Sequence, residues 1–260
     1  MIAIARSAIA DLGAGLRMHR VWLALAQEDI DDQHRRTTLG PIWMMLNYLI
    51  YIGTFLLVFG AGAASANYTA YMSVGMLVFM YLQDVMTRSV TLFRQEKAFI
   101  AGTTMPLTVY VLRMAMQNII RTGYAALGCF ALLLLSSTPV TLNWLWALPG
   151  IAEVLAVTIP TTILFALAGV FFPDMQFIIT NIIRVGMFLT PIFWVSAPGP
   201  RELLSRYNPL TYFIDVIRTP MVSDTPAISA LIICGIITLI AWVAAILLLG
   251  RHRREIVFLL

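Results

Sequence analysis

The side chains that could do chemistry in this chain form no complete catalytic constellation. Its three histidines fall in no His-Glu-x-x-His motif, and no Cys-x-x-Cys motif occurs. Asp29, Asp31 and Asp32 could form half of a Mg²⁺–diphosphate site, but no second acidic cluster completes it. Lys97, the single lysine, does not follow glycines as the lysine of a phosphate-binding loop must. We therefore expect no catalytic residue, no metal site, no resident cofactor and no ATP hydrolysis in this chain.

Three charged residues fall well inside apolar runs: Arg121, Glu153 and Arg184. A charge in hydrocarbon is costly, so each should face protein or water. We expect Glu153 to lie within reach of one of the arginines. Two interpretations stay open at this point. The three residues either form a structural arginine–glutamate pair that holds helices together, or a patch that handles an anionic group in a pathway.

The composition excludes an ordinary soluble domain. Hydrophobic residues make up 60% of the 260 residues and charged residues 12%, against roughly 45–50% and 25% in soluble proteins. A chain of this length cannot bury so much apolar surface in water, so a bilayer is its expected solvent. The net charge of +4 comes mostly from arginines clustered between apolar runs. Such clusters suit lipid headgroups, and we expect membrane lipids but no nucleic acid as partners.

Six apolar segments are long enough to cross a bilayer core about 30 Å thick. They cover residues 43–59, 68–86, 114–135, 145–172, 177–195 and 227–250. Arginines cluster before the first segment, between the second and third, and after the last, which predicts that both termini are cytoplasmic. The predicted fold is an all-α integral membrane protein. It has a cytoplasmic N-terminus (1–42), a six-helix transmembrane domain (43–250) and a cytoplasmic tail (251–260).

Three further segments are predicted to be helical without crossing the membrane. Residues 17–38 carry apolar and charged residues on opposite sides, which predicts an interfacial amphipathic helix within the N-terminal segment. Residues 88–106 contain a short cytoplasmic helix. Residues 197–226 form a helical hairpin between the fifth and sixth spans, because Asn208 and Pro209 are a typical helix start. Phe213 belongs to the apolar stripe of its second helix, and Asp215 and Arg218 can pair.

Aromatic residues recur along the first predicted span. Tyr48, Tyr51 and Phe55 are spaced three and four apart, and Phe59 continues their stripe. Phe193 and Trp194 follow near the end of the fifth span. The stripe either packs against other spans and lipid, or it lines a channel in which sugar rings stack on aromatic faces. Because six spans make a thin wall, a channel between two copies of the chain is expected.

The motif at residues 35–43, Arg-Arg-Thr-Thr-Leu-Gly-Pro-Ile-Trp, resembles the start of the first span in permeases of type 2 ABC transporters. The resemblance is strongest to those that export O-antigen, capsular polysaccharide or teichoic acid. It extends, in order, to residues 93–97, 190–193 and 208–211 and covers nearly the whole chain.

That resemblance implies a homodimeric permease in the bacterial inner membrane, paired with two copies of an ATPase that holds ATP and Mg²⁺. The implied substrate is a glycan on an undecaprenyl-diphosphate lipid, as in lipopolysaccharide biosynthesis. The implied lipid-diphosphate entrance consists of Arg35, Arg36, Leu39 and Gly40. The implied ATPase docking residues are Glu96, Lys97 and Phe99. The implied periplasmic gate consists of Asn208, Pro209, Phe213, Asp215 and Arg218.

Three alternative functions fit the same sequence. The chain could be an ABC permease for a small lipid or drug. It could be an ion-coupled carrier that uses Glu153, although no inverted repeat is visible. A membrane glycosyltransferase or phosphotransferase is the third alternative.

Overall fold

The computed structural model describes residues 2–60, 67–136, 138–195 and 199–259. Residues 197 and 198 of the predicted hairpin lie outside this description. So do residue 1 of the N-terminal segment and residue 260 of the C-terminal tail. All regular secondary structure among the described residues is helical, so the all-α class is confirmed for them. The α-helices are α1 (Ile2–Arg17), α2 (His19–His34), α3 (Ile42–Phe59), α4 (Tyr68–Ser89), α5 (Leu92–Gln95), α6 (Lys97–Gly102), α7 (Leu107–Leu135), α8 (Ala147–Phe171), α9 (Met175–Leu189), α10 (Pro200–Tyr207), α11 (Pro209–Val222) and α12 (Ile228–Leu259). A short 3₁₀ helix, Leu142–Trp146, precedes α8.

Four helical segments of the described chain are long and apolar enough to cross a membrane. They are α3, α7, the continuous 3₁₀–α8 segment and α12 up to Arg253. The other two predicted spans correspond to α4 and α9. Helix α9 is apolar but has only 15 residues, fewer than the roughly 20 that a perpendicular span needs. Helix α4 has 22 residues but a more polar composition. The count of six spans therefore stays a prediction.

Helix α4 is the central helix of the fold. It packs against α3, α7, α8, α9 and α11, and 13 of its 22 residues are buried. A helix enclosed by protein on most sides does not meet lipid, so it can carry tyrosine, serine and Asp84 without a large cost. This position accounts for the low hydropathy of α4 compared with the four apolar segments around it.

The N-terminal segment contains two helices where the sequence predicted one. Helix α1 packs along α7 and α12, and its Asp11 is buried between them. The Asp11 carboxylate accepts hydrogen bonds from the backbone N–H of Thr108 (3.0 Å) and from its hydroxyl (2.9 Å). It also pairs with Arg253 of α12 at 2.7 Å. These contacts join the two ends of the chain at one side of the molecule, which we name the terminal side.

Helix α2 has the polar and apolar sides that its sequence predicts. Ala26 and Ile30 are buried, whereas Gln27, Glu28 and Asp31 are exposed. The chain then turns at Gly40, whose φ of +55° lies in the left-handed region that glycine adopts without strain. That α2 lies in a membrane interface stays a prediction. The predicted cytoplasmic helix within residues 88–106 is two short helices, α5 and α6, on the same terminal side.

The opposite side of the molecule, which we name the hairpin side, contains the 3₁₀ helix, α10 and the start of α11. Helix α11 packs against α4, α8 and α12. Its approach to α8 is close: a Cβ atom on Gly150 would lie 2.5 Å from the Val216 carbonyl oxygen. Glycine at position 150 therefore permits the contact between α8 and α11.

Replacing Gly150 with alanine should lower the free energy of unfolding by about 1–3 kcal/mol, the usual cost of overpacking a close contact. The measurement is thermal or denaturant unfolding of the purified chain in detergent. Gly53→Ala is the matched control, because no atom lies within 4 Å of the Cβ that it would add. An equal effect of the two substitutions would mean that the α8–α11 approach does not depend on Gly150.

Candidate functional site

Aromatic rings from α3, α9 and the segment after α9 form one continuous surface. Phe55 stacks on Phe193 with ring centroids 4.4 Å apart, and Phe59 stacks on the same ring at 5.6 Å. Tyr51 adjoins Phe55 at 5.2 Å, and Phe188 adjoins Phe193 at 6.2 Å. We name these five residues the aromatic surface. Tyr51 and Phe59 are exposed by about 40%, whereas Phe193 at the centre is buried.

Two residues predicted with this group lie elsewhere. Tyr48 is fully buried, and its hydroxyl donates a hydrogen bond to the Ser73 carbonyl of α4 at 2.8 Å. It points into the fold because α3 approaches α7 closely at Gly128, where Tyr48 lies against the glycine. Trp194 is half-buried, and its indole N–H donates to the Phe188 carbonyl at 3.1 Å. Of the predicted stripe, Tyr48 therefore packs inside the fold, whereas Tyr51, Phe55 and Phe59 belong to the aromatic surface.

The chain leaves helical geometry after α9, and side chains from α4 bind the carbonyl groups that this break frees. The Tyr68 hydroxyl donates to the Phe193 carbonyl at 2.8 Å. The Tyr71 hydroxyl lies 3.1 Å from the Pro191 carbonyl and 3.2 Å from that of Trp194. Unpaired carbonyls in an apolar setting are costly, so these bonds keep the irregular segment in place.

Arg218 of α11 completes the same cluster of bonds. Its guanidinium is buried, with 4% of the residue exposed, and donates to the Pro191 carbonyl at 2.5 Å. It pairs with Asp215 at 2.5 Å, as the spacing of the two residues predicts. It also lies 3.9 Å from the centroid of the Tyr71 ring, a cation–π contact. Arg218 thus joins the hairpin, the break after α9 and the start of α4.

Asn208 and Pro209 begin α11 as the sequence predicts. The Asn208 side-chain oxygen accepts from the Leu210 N–H at 3.0 Å, and Pro209 occupies the first turn. The Asn208 amide also donates to the Thr190 hydroxyl at 2.8 Å, a second tie to the break after α9. Phe213 is buried on the apolar side of α11.

On the terminal side, Arg113 of α7 joins α2 to the predicted docking residue Glu96. It makes two hydrogen bonds of 2.6 Å to the Asp29 carboxylate of α2 and one of 3.1 Å to Glu96, between α5 and α6. The Glu96 carboxylate is therefore already paired with a residue of its own chain. Its neighbours Lys97 and Phe99 are exposed, Phe99 by 60%.

The predicted entrance residues lie in an exposed segment after α2. Arg35 and Arg36 are exposed, and Arg35 lies 3.5 Å from Asp32 in a solvent-exposed pair. Leu39 is 42% exposed beside the Gly40 turn. Such an exposed pair contributes little stability, so the arginines are free to bind another anion.

The three intramembrane charges are not brought together. Arg121 donates to the Gln33 side chain of α2 at 2.7 Å. Glu153 is half-buried on α8, close to Gly235 of α12. Arg184 is exposed on α9. The ion pairs of the described residues include none between Glu153 and either arginine, so the expectation that Glu153 lies within reach of one of them is wrong. Among the described residues, no pair between Glu153 and Arg121 or Arg184 holds helices together.

Sequence reasoning missed several residues that organise these sites. Tyr68 and Tyr71 stand three apart at the start of α4, but nothing local indicates that they reach a segment 120 residues away. Asp11 is the one acidic residue in an otherwise apolar and basic N-terminal stretch, which could have indicated a buried pair. The partner of Arg113 could not be read from the sequence.

No family model matches the chain. Two curated relatives from Klebsiella pneumoniae do, each named O-antigen export system permease protein RfbA. One is 23% identical over 202 residues and the other 24% over 197. Each match covers 74% of this chain and 76% of the relative. The resemblance to polysaccharide-export permeases is confirmed. The matches name permease subunits, which agrees with the lack of a catalytic constellation in this sequence.

Replacing Arg218 with methionine should destabilise the protein by about 1–3 kcal/mol, because a buried carbonyl loses a charged donor. Amide hydrogen exchange should rise in residues 190–195 and at the start of α11, more than in α7. Arg201→Met, which changes an exposed arginine of α10, is the matched control. Unchanged exchange in residues 190–195 of the Arg218 variant would contradict the role assigned to this side chain.

Proposed function

We propose that the chain is the transmembrane subunit of an ATP-driven exporter in a bacterial inner membrane. It moves undecaprenyl-diphosphate-linked polysaccharide, of the O-antigen class, from cytoplasm to periplasm. Two copies form the pathway at their interface, and two copies of a separate ATPase subunit hold ATP and Mg²⁺. The proposal rests on the similarity to O-antigen export permeases and on the geometry of the aromatic surface.

The aromatic surface is the observation that carries this proposal. Its rings are continuous over α3, α9 and the segment after α9, and Tyr51, Phe59 and Phe188 are exposed in a single chain. Rings stack on the apolar faces of sugars with weak, repeated contacts, which suit a polymer that must slide. In a symmetric pair the same surface of each chain would face the other across one pathway. Tyr51 and Phe59 would then contact the glycan.

The entrance lies where α2 meets α3. With both termini cytoplasmic, α2 follows the cytoplasmic headgroups, and Arg35 and Arg36 stand beside the Leu39–Gly40 turn. Arginine binds phosphate oxygens with two parallel hydrogen bonds, so the pair suits a diphosphate headgroup. Asp29, one of the acidic residues of α2, is already bound by Arg113. It therefore competes little for these arginines.

The ATPase docks at α6. Lys97 and Phe99 are exposed there and supply a charged and an apolar contact. Glu96 acts differently from its two neighbours, because its bond to Arg113 fixes the start of α6 relative to α7. The same Arg113 holds α2 through Asp29. A displacement of α6 by the ATPase would thereby reach the entrance helix through one guanidinium group.

The hairpin forms the periplasmic gate. A polar cavity of about 370 Å³ lies between the start of α4, the break after α9 and the hairpin, lined by Tyr71, Arg206, Tyr212 and Asp215. Its hydroxyl and charged groups can hydrogen-bond sugar hydroxyls as the glycan leaves. The bonds from Asn208 and Arg218 to the break after α9 hold the gate beside the aromatic surface.

A cysteine at position 51 should react with a water-soluble thiol reagent while the transporter exports glycan. The background lacks Cys129 and Cys234, which are both buried. Tyr48→Cys is the matched control: it lies one helical turn away but inside the fold, and it should stay unreactive. Equal protection of both positions at rest and during transport would place the pathway elsewhere and remove the main support for the proposed function.

Changing Arg35 and Arg36 together to glutamine should abolish export of the surface glycan, since a diphosphate loses its charged donors at the entrance. The glycan is measured at the cell surface in a strain that depends on this chain, with membrane assembly checked by immunoblot. Arg20→Gln, an exposed arginine of α2, should leave export unchanged. Normal export by the double variant would rule out this entrance.

A further inference from the structure

A deep apolar crevice separates α7 from α8. Its volume is about 430 Å³, within the roughly 300–1,000 Å³ of known ligand pockets. Helices α4 and α11 form its floor, and Phe130 and Ile151 at its rim are exposed. The Tyr81 hydroxyl bonds to Thr158 at 2.6 Å, so this residue presents its ring to the crevice. No lining residue belongs to the aromatic surface.

A second cavity of about 280 Å³ adjoins the crevice on the terminal side. The two share Leu77, Tyr81 and Thr122 as lining residues. The second cavity is lined by both apolar and charged groups, among them Arg88 and Arg121. The two cavities are therefore adjacent, and we name the second cavity, with its charged groups, the charged end of the crevice.

The charged end is lined by two arginines and one carboxylate, so its lining groups carry one net positive charge. The carboxylate of Asp84 lies 3.8 Å from Arg88 and also attracts Arg121. Arg121 donates one hydrogen bond to Gln33, but its Nη1 is buried and has no hydrogen-bond partner among the described residues. A buried guanidinium nitrogen without an acceptor is costly, and an anion would relieve that cost.

We infer that each chain binds one anionic phospholipid of the surrounding bilayer here. One acyl chain lies in the crevice between α7 and α8, and the phosphodiester accepts a hydrogen bond from Arg121. Basic pockets between transmembrane helices hold anionic headgroups in this way. The single net positive charge matches the single negative charge of a phosphodiester, whereas a lipid diphosphate carries more. The Gln33 contact places Arg121 at the level of α2, where the proposed membrane orientation puts the headgroups.

Two variants test the two ends of this site separately. Arg121→Gln removes the charge, and Arg20→Gln is its control, because Arg20 is an exposed arginine of α2 outside both cavities. Gly123→Leu fills the crevice. No atom lies within 4 Å of a Cβ at Gly123, so the substitution occupies empty space. Gly53→Leu, equally open but on α3, is its control.

The full chain is purified in detergent and titrated with phosphatidylglycerol, and bound lipid is counted by native mass spectrometry. One phosphatidylglycerol per chain is expected, with phosphatidylcholine of the same acyl chains binding at least about tenfold more weakly. Arg121→Gln and Gly123→Leu should each weaken phosphatidylglycerol binding about tenfold or more, and both controls should match the wild type. Thermal unfolding shows that the variants are folded; should Arg121→Gln unfold, Gly123→Leu decides.

Three results would overturn the inference. One is equal binding of phosphatidylglycerol and phosphatidylcholine, which would mean that no anion is recognised. Another is unchanged binding in either test variant. The third is displacement of phosphatidylglycerol by undecaprenyl diphosphate at equal concentration, which would make this a substrate site. None of these measurements depends on export, so failure of this inference is distinguishable from failure of the proposed function.

Discussion

The fold depends on one constraint: the backbone carbonyls freed where α9 ends must find donors inside the protein. An apolar protein interior offers none, and each buried carbonyl left unpaired would cost several kcal/mol, on the order of a full desolvation penalty. Tyr68, Tyr71 and Arg218 supply the donors. The same bonds fix the backbone of Phe193, and the ring of Phe193 is what joins the α3 and α9 aromatics. The aromatic surface therefore depends on the hydrogen bonds that the carbonyls of the segment after α9 receive.

That constraint also accounts for the unusual character of α4. A helix that must present tyrosine hydroxyls and leave room for a guanidinium cannot be uniformly apolar. At Gly75 an added Cβ would lie 3.3 Å from the Arg218 side chain, so even a methyl group would press on it. Protein surrounds α4 on most sides, which removes the need for an apolar surface. Hydropathy alone consequently identifies its neighbours as spans more readily than α4 itself.

Sequence reasoning succeeded where the determining contacts are local or compositional. The helical class follows from composition, the start of α11 from Asn208 and Pro209, and the Asp215–Arg218 pair from i,i+3 spacing. It failed where a distant residue decides. Periodicity puts Tyr48 on the stripe of Tyr51, but Gly128 on another helix lets Tyr48 into the fold. The partner of Arg121 is likewise a residue of α2 rather than Glu153, because helix packing cannot be read from spacing.

Helix α7 links these regions because it is long, at 29 residues, and makes different contacts along its length. Its first turn holds α1 through Thr108, and Arg113 holds α2 and the turn before α6. Two turns further, Arg121 meets Gln33 and lines the charged cavity. Further still, Gly128 receives α3, the helix that carries Tyr51. A rigid helix transmits a shift at one end to the other, so the surface at α6 and the aromatic surface cannot move independently unless α7 bends.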